Sequence, residues 1–170
     1  MEFAPDQCVF LMRFLTGTHG QEMPATRKVI AAIPEGNKRF QLDPKGMSAI
    51  QLGWHIVTSE EWFLKGILDG KFGMEENKMP EDATVESVLA RYEANVPPLV
   101  DQVKAMSPAD LARPVGFFGM MTASAAFYLG FMNNHSIHHR GQLAAMLRPA
   151  GSKVPSIYGG SADEPFQMPA

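Results

Sequence analysis

Histidines stand at positions 135, 138 and 139 within a stretch of helical character. The four-residue interval from His135 to His139 has a direct chemical consequence. Residues four apart on an α-helix differ by about 40° around the axis and by about one turn along it, so two such imidazoles can point at one ion. His135 and His138, three apart, could converge as well; spacing alone leaves both pairs open. A third ligand has to come from another helix, and His55 is the candidate, set in the apolar stretch Leu52, Trp54, Ile56. A lone histidine on an apolar face is more often a hydrogen-bonded core residue than a ligand. The pairing is what raises the metal reading. Neutral imidazole nitrogens suit zinc and nickel, and also copper and iron(II).

Three neutral ligands would leave the +2 charge of such an ion uncompensated and keep coordination positions open, the pattern of catalytic rather than structural sites. Two chemistries follow. Bound water can lose a proton to give hydroxide for hydrolysis, or a substrate thiol can bind as thiolate.

The elements that must position these side chains are helical. Strand signals are scarce, with no Asn-Gly hairpin dipeptide between alternating β-branched runs. A first helix is expected from a cap near Asp6 through Val9–Leu15, bending near Gly17–Gly20 and resuming over Thr26–Ile33. Ser48 and Gln51 form a capping box for a second helix that ends near Asp69, stopped by Gly70. After a polar loop over Gly73–Asp82, Thr84 caps a third helix, Val85 to about Met106, which Pro97 and Pro98 are expected to break or kink. A connection over Ser107–Met121 opens with a short helical turn at Ser107-Pro108-Ala109. The last helix is expected from Thr122 to about Arg148. Its inward face carries Ala125, Leu129, Met132, Leu143, Met146 and Leu147, and His135 and His139 fall on the same stripe. Four main helices with long connections imply an all-α four-helix bundle. Residues 1–170 read as one domain, with a tail over 160–170 loosely held.

Other chemistries find little support. The chain has a single cysteine, Cys8, in an apolar run, so there is no intrachain disulfide and a buried inert thiol is expected. Glu60 and Glu61 lie five and six residues past His55, off its face, and read as solvated, as does His19 in a turn. No Ser-His-Asp arrangement or phosphate-cradling glycine loop is recognisable. The twelve methionines read equally as core filler or as the lining of an adaptable pocket. A net charge of −3 argues against nucleic acid, and no apolar run reaches the ~18 residues of a membrane span. The short run Val9–Leu15, broken by Arg13, is no secretion signal. The cytoplasm is the expected compartment.

The segment His135-Ser136-Ile137-His138-His139-Arg140-Gly141-Gln142-Leu143 resembles the signature of the DinB-like (DinB/YfiT) family. The likeness extends through Leu147-Arg148, Gly151, Val154-Pro155 and Ile157-Tyr158-Gly159, and upstream over Gly53-Trp54-His55-Ile56 and Glu61-Trp62-Phe63-Leu64. What the resemblance implies is a four-helix bundle, often a homodimer, holding a divalent metal ion on His55, His135 and His139, with His138 left out. It tilts the chemistry toward enzymes that use low-molecular-weight thiols such as bacillithiol or mycothiol. Related sulfoxide synthase domains bind iron through HxxxHxE; here Gly141 occupies the glutamate position, so that reading loses support. The sequence therefore leads to a metal-dependent enzyme acting on a small molecule, as thiol-dependent S-transferase or hydrolase. The rival is a non-catalytic metal- or ligand-binding protein used in stress-related binding or sensing. Gly141 is expected where a neighbouring helix approaches closely, Arg140 against a carboxylate between helices or subunits, and Gln142 hydrogen-bonded near the His135 side of the site.

Overall fold

Ser48 shows how the sequence sets the bundle's boundaries. Its Oγ accepts from the Gln51 backbone N–H while Gln51 Oε1 accepts from the Ser48 N–H at 2.8 Å, the expected capping box, and helix α2 follows over Ala49–Asp69. Gly70 ends it at φ +71°, a left-handed conformation that glycine adopts without penalty. In the computed structural model residues 1–74 and 77–166 are described. Glu75 and Glu76, in the expected polar loop, and residues 167–170 of the expected loose tail lie outside that set.

Helix α1 spans Pro5–Ala31, α3 Val85–Lys104 behind its Thr84 cap, α4 the single turn Pro108–Ala112 behind Ser107, and α5 Tyr128–Leu147. Between α4 and α5 lies an antiparallel hairpin, β1 Pro114–Phe117 with β2 Met121–Ser124, pairing Val115 with Ala123. The chain is mainly helical, and the helical bundle expected from the sequence is what forms. Both α1 and α2 pack against α3 and α5, which sets α1 and α2 across the bundle from each other. Helices α1 and α5 run parallel: Asn133 Nδ2 donates to the Leu15 carbonyl, and seven residues on Arg140 Nη1 donates to that of Glu22.

Four local expectations differ from the structure. Helix α1 does not bend at Gly17–Gly20; Gly17 and Gly20 lie exposed while Met12, Thr16, His19 and Thr26 carry one continuous buried stripe through them. Core contact along that stripe outweighs the ~1 kcal/mol that each helical glycine costs. The N-cap is Ala4, whose N–H donates to Gln7 Oε1, with Asp6 inside the first turn. Likewise α3 continues through Pro97 and Pro98, held by buried Val96, Val100 and Val103. Finally, α5 begins at Tyr128 rather than Thr122. Residues 121–124 form β2, and the Tyr128 hydroxyl donates to the Val115 carbonyl at 2.8 Å, tying the hairpin to the helix start.

Two corrections concern titratable groups. His19 is not a surface residue and Glu60 is not solvated. They are 2% and 1% exposed, and His19 Nε2 meets Glu60 Oε2 at 2.8 Å across the bundle. Glu61 is also buried, held by both arms of Arg91 at 2.7 and 2.6 Å and by Asn95 at 3.1 Å. Cys8 is fully buried, as expected. The Ser161–Glu164 turn binds back onto the body, where Asp163 accepts from Arg148 and from the Val154 N–H.

Truncating one member of a buried polar pair leaves the other without a partner and costs about 3 kcal/mol or more. Glu60→Ala is therefore expected to lower the denaturation free energy by about that amount in urea titrations. A loss below about 1 kcal/mol would show that the His19–Glu60 contact carries little of the fold.

Candidate metal centre

Helix α2 presents His55 to α5, which carries His135 and His139 one turn apart. Each offers one ring nitrogen, and these nitrogens all lie within 4.8 Å of one another. The three ring centroids are separated by 5.0 Å (His55–His135), 4.6 Å (His55–His139) and 4.3 Å (His135–His139). His138 is exposed and stands outside the group.

The neighbours decide which nitrogen faces inward. His139 Nδ1–H donates to Gln142 Oε1 at 2.8 Å, so its Nε2 carries the lone pair. His55 Nδ1 faces the Ser59 hydroxyl at 3.4 Å, leaving its Nε2 toward α5. These two Nε2 atoms are 3.3 Å apart. Two imidazole nitrogens sharing one tetrahedral ion at ~2.0–2.1 Å would be about 3.4 Å apart, so the pair already has the spacing that a shared ion requires. His135 Nδ1 is buried with no hydrogen-bond partner among the described residues. Converging nitrogens, with the His139 Nε2 lone pair directed inward, fit a divalent cation that favours imidazole; the three histidines could hold one.

Electrostatics favour the ligand form. Burial, followed by the neighbouring histidines, holds His135 down at about 4. Burial and then His139 lower His55. Burial lowers His139 too, partly opposed by its hydrogen bond to Gln142. All three are thereby neutral near pH 7, with lone pairs available.

The residues around the triad differ in part from expectation. Gln142 supports His139, not the His135 side. A Cβ on Gly141 would meet nothing within 4 Å, so no helix approaches there. Arg140, 2% exposed, does pair with a carboxylate between helices: its Nη2 lies 2.5 Å from Glu22 Oε2 on α1, and the Tyr158 hydroxyl bonds the same carboxylate at 2.7 Å. Sequence reasoning missed Ser59, although it sits four residues after His55 and so one turn along the same face. It also missed the aromatic backing of the site, where Phe63 stands edge-on to His135 with centroids 5.8 Å apart.

The lowered histidines give a pH dependence of definite sign. Protons bind the unfolded chain before the folded one, so stability is fully present above about pH 6.5 and is lost as pH falls toward the folded value of about 4. In chelator-treated protein the urea midpoint is expected to drop between about pH 6.5 and 5, and His135→Leu should flatten that drop. An unchanged slope in His135→Leu would contradict the assignment.

Comparison with known proteins identifies the family and the fold. The chain is 22% identical over 144 residues to the uncharacterized protein YrdA of Bacillus subtilis, spanning 84% of this chain and 85% of that one. The crystal structure of a DinB-like protein from Bacillus cereus superposes with a TM-score of 0.73 at 25% identity, covering 85% of this chain and 95% of the other. The DinB-like protein YjoA of B. subtilis shares the fold, with a TM-score of 0.66 at 21% identity over 81% of this chain and 92% of its own. The DinB family model matches residues 19–167, a span that holds α2, α5 and all three histidines, and the chain belongs to the DinB family.

Proposed function

We propose that this protein is a divalent-metal-dependent enzyme acting on a small molecule, as a thiol-dependent S-transferase or a hydrolase. The observation that carries the reading is the pair of Nε2 atoms of His55 and His139 at 3.3 Å, oriented from behind by Ser59 and Gln142, with His135 completing the group. His55, His135 and His139 would hold the ion, zinc or nickel before iron. Such an ion, when bound, supplies a Lewis acid that favours hydroxide over water and thiolate over thiol. The protein's own contribution is positional. Ser59 and Gln142 fix two ring orientations, and burial keeps the imidazoles neutral so that no proton competes for the lone pairs. A cleft of about 440 Å³ runs alongside His55 and would admit a small substrate.

A second reading, a non-catalytic metal- or ligand-binding protein, is favoured by one observation. The carboxylates nearest in sequence to His55 are engaged elsewhere, Glu60 with His19 and Glu61 with Arg91, so neither is free as a general base. Chemistry supplied by a bound ion would not require one, whereas general acid–base chemistry at the substrate would.

Elemental analysis of untagged protein is expected to find about one zinc, nickel or iron per chain, with His139→Ala losing it. Gln142→Ala should retain the fold and weaken metal affinity by about 10–100-fold. Retention of stoichiometric metal in His139→Ala would refute the ligand assignment. The loaded protein should then either deplete a free thiol in the presence of an alkylating electrophile or hydrolyse activated esters. Metal binding with neither activity would favour the second reading.

A further inference from the structure

The cleft beside His55 has a chemical bias of its own. Its walls are Trp54, Trp62 and Phe118, with the thioethers of Met47 and Met79. Its polar lining is Gln51, Asn77, Thr58 and Ser59, beside the His55 ring. No lysine or arginine lines it among the described residues. Lys78, between the lining residues Asn77 and Met79, is exposed and does not itself line the cleft. Arg91 stacks on Trp54 at 4.6 Å, but its charge is met by Glu61. Lys65 and Lys71 line a separate depression that shares only Trp62 and Gly73 with the cleft. Away from an ion at the triad, an anion against these walls would shed water without gaining a counter-charge from the cleft's own lining.

The hairpin tip supplies the second observation. Phe118 at φ +48° and Gly119 at φ +72° are the two central residues of a turn closed by the Met120 N–H donating to the Phe117 carbonyl. Positive φ at both positions is the pattern of a type I′ turn, where asparagine, aspartate or glycine is the comfortable occupant of the first. A phenylalanine there is strained. The strain places its ring against the cleft, within 5° of parallel to the Trp62 indole at 6.1 Å between centroids. Trp62 is itself pinned, its Nε1–H donating to the Gly73 carbonyl at 2.8 Å. Packing alone would not require this ring, which remains 46% exposed.

We infer that the cleft is the binding site for an uncharged, apolar, ring-bearing molecule, packed against Trp62 and Phe118 beside His55 of the histidine triad. This rests on the triad being the reactive centre and assigns the class of its organic substrate: neutral and aromatic or alicyclic, rather than an anion. Phe118 and Trp62 are its specificity-determining residues.

Two dyes with one skeleton test it: N-phenyl-1-naphthylamine, which is neutral, and 8-anilinonaphthalene-1-sulfonate, which carries one sulfonate. Direct dye fluorescence should show saturable binding of the neutral probe, about tenfold or more tighter than the sulfonate. Phe118→Gly removes the ring and relieves the turn. It should leave the melting temperature unchanged or raised while weakening the neutral probe about two- to tenfold, and Trp62→Ala should weaken it similarly. Equal affinity for both dyes, or unchanged affinity in Phe118→Gly, overturns the inference. Repeating the titration with His139→Ala separates the two levels. Selective dye binding without metal in the wild type would leave the cleft assigned and remove the metalloenzyme, whereas metal without dye selectivity would do the reverse.

Discussion

The α2–α5 contact has to bury apolar surface while bringing three like, basic rings together with lone pairs inward. These demands oppose each other, since imidazoles so close resist protonation and the two Nε2 atoms at 3.3 Å have room for only one proton between them. The contact is tolerable because the rings are neutral and flanked by edge-on aromatic packing such as Phe63 on His135. The outer nitrogen of His139 donates to Gln142 Oε1, and that of His55 meets the Ser59 hydroxyl. A bound cation would take the place of that proton and bind all three rings, so metal binding and the stability of this helix pair should be linked.

The other polar groups of the core keep the carboxylates away from that point. Glu60 turns across the bundle to His19, Glu61 goes to Arg91 and Asn95 on α3, and Glu22 is taken by Arg140 and Tyr158. Each pairing fixes a helix register by satisfying a group that would be expensive to bury alone. Together they leave the triad an all-nitrogen site. An ion there would keep its full positive charge and so act more strongly on a bound water or thiol than one partly neutralised by carboxylate.

Much of this was legible in the residues. The capping boxes at Ser48 and Thr84, the stop at Gly70 and the inward stripe of α5 follow local rules, and the structure carries them out. The convergence of His55 with His135 and His139 needed the family likeness, because spacing could not exclude His138. What escaped was mostly charge on buried faces. Glu60 lies in register with Ile56, Phe63, Leu64 and Ile67, and His19 with Met12, Thr16 and Thr26, so periodicity did mark both as buried. Their polarity masked it, since a charged residue is rarely buried without a partner and the partner lay 41 residues away. The hairpin escaped for a different reason: strands of four residues around a Phe-Gly turn give almost no local signal.

That turn shows where local preference and use diverge. At Phe118 a better turn former was available at no cost to the ladder, yet the ring is retained in a strained backbone and left 46% exposed. Strain kept at a surface position has to be offset by something, and its contact with Trp62 is only a partial offset, because two such rings gain about 1 kcal/mol. A ligand ring against them adds contacts on the cleft side without adding to the cost of the turn, which the folded protein already bears. The hairpin thus lowers the ordering penalty of binding in advance, and it does so from an edge of the cleft outside the helical bundle.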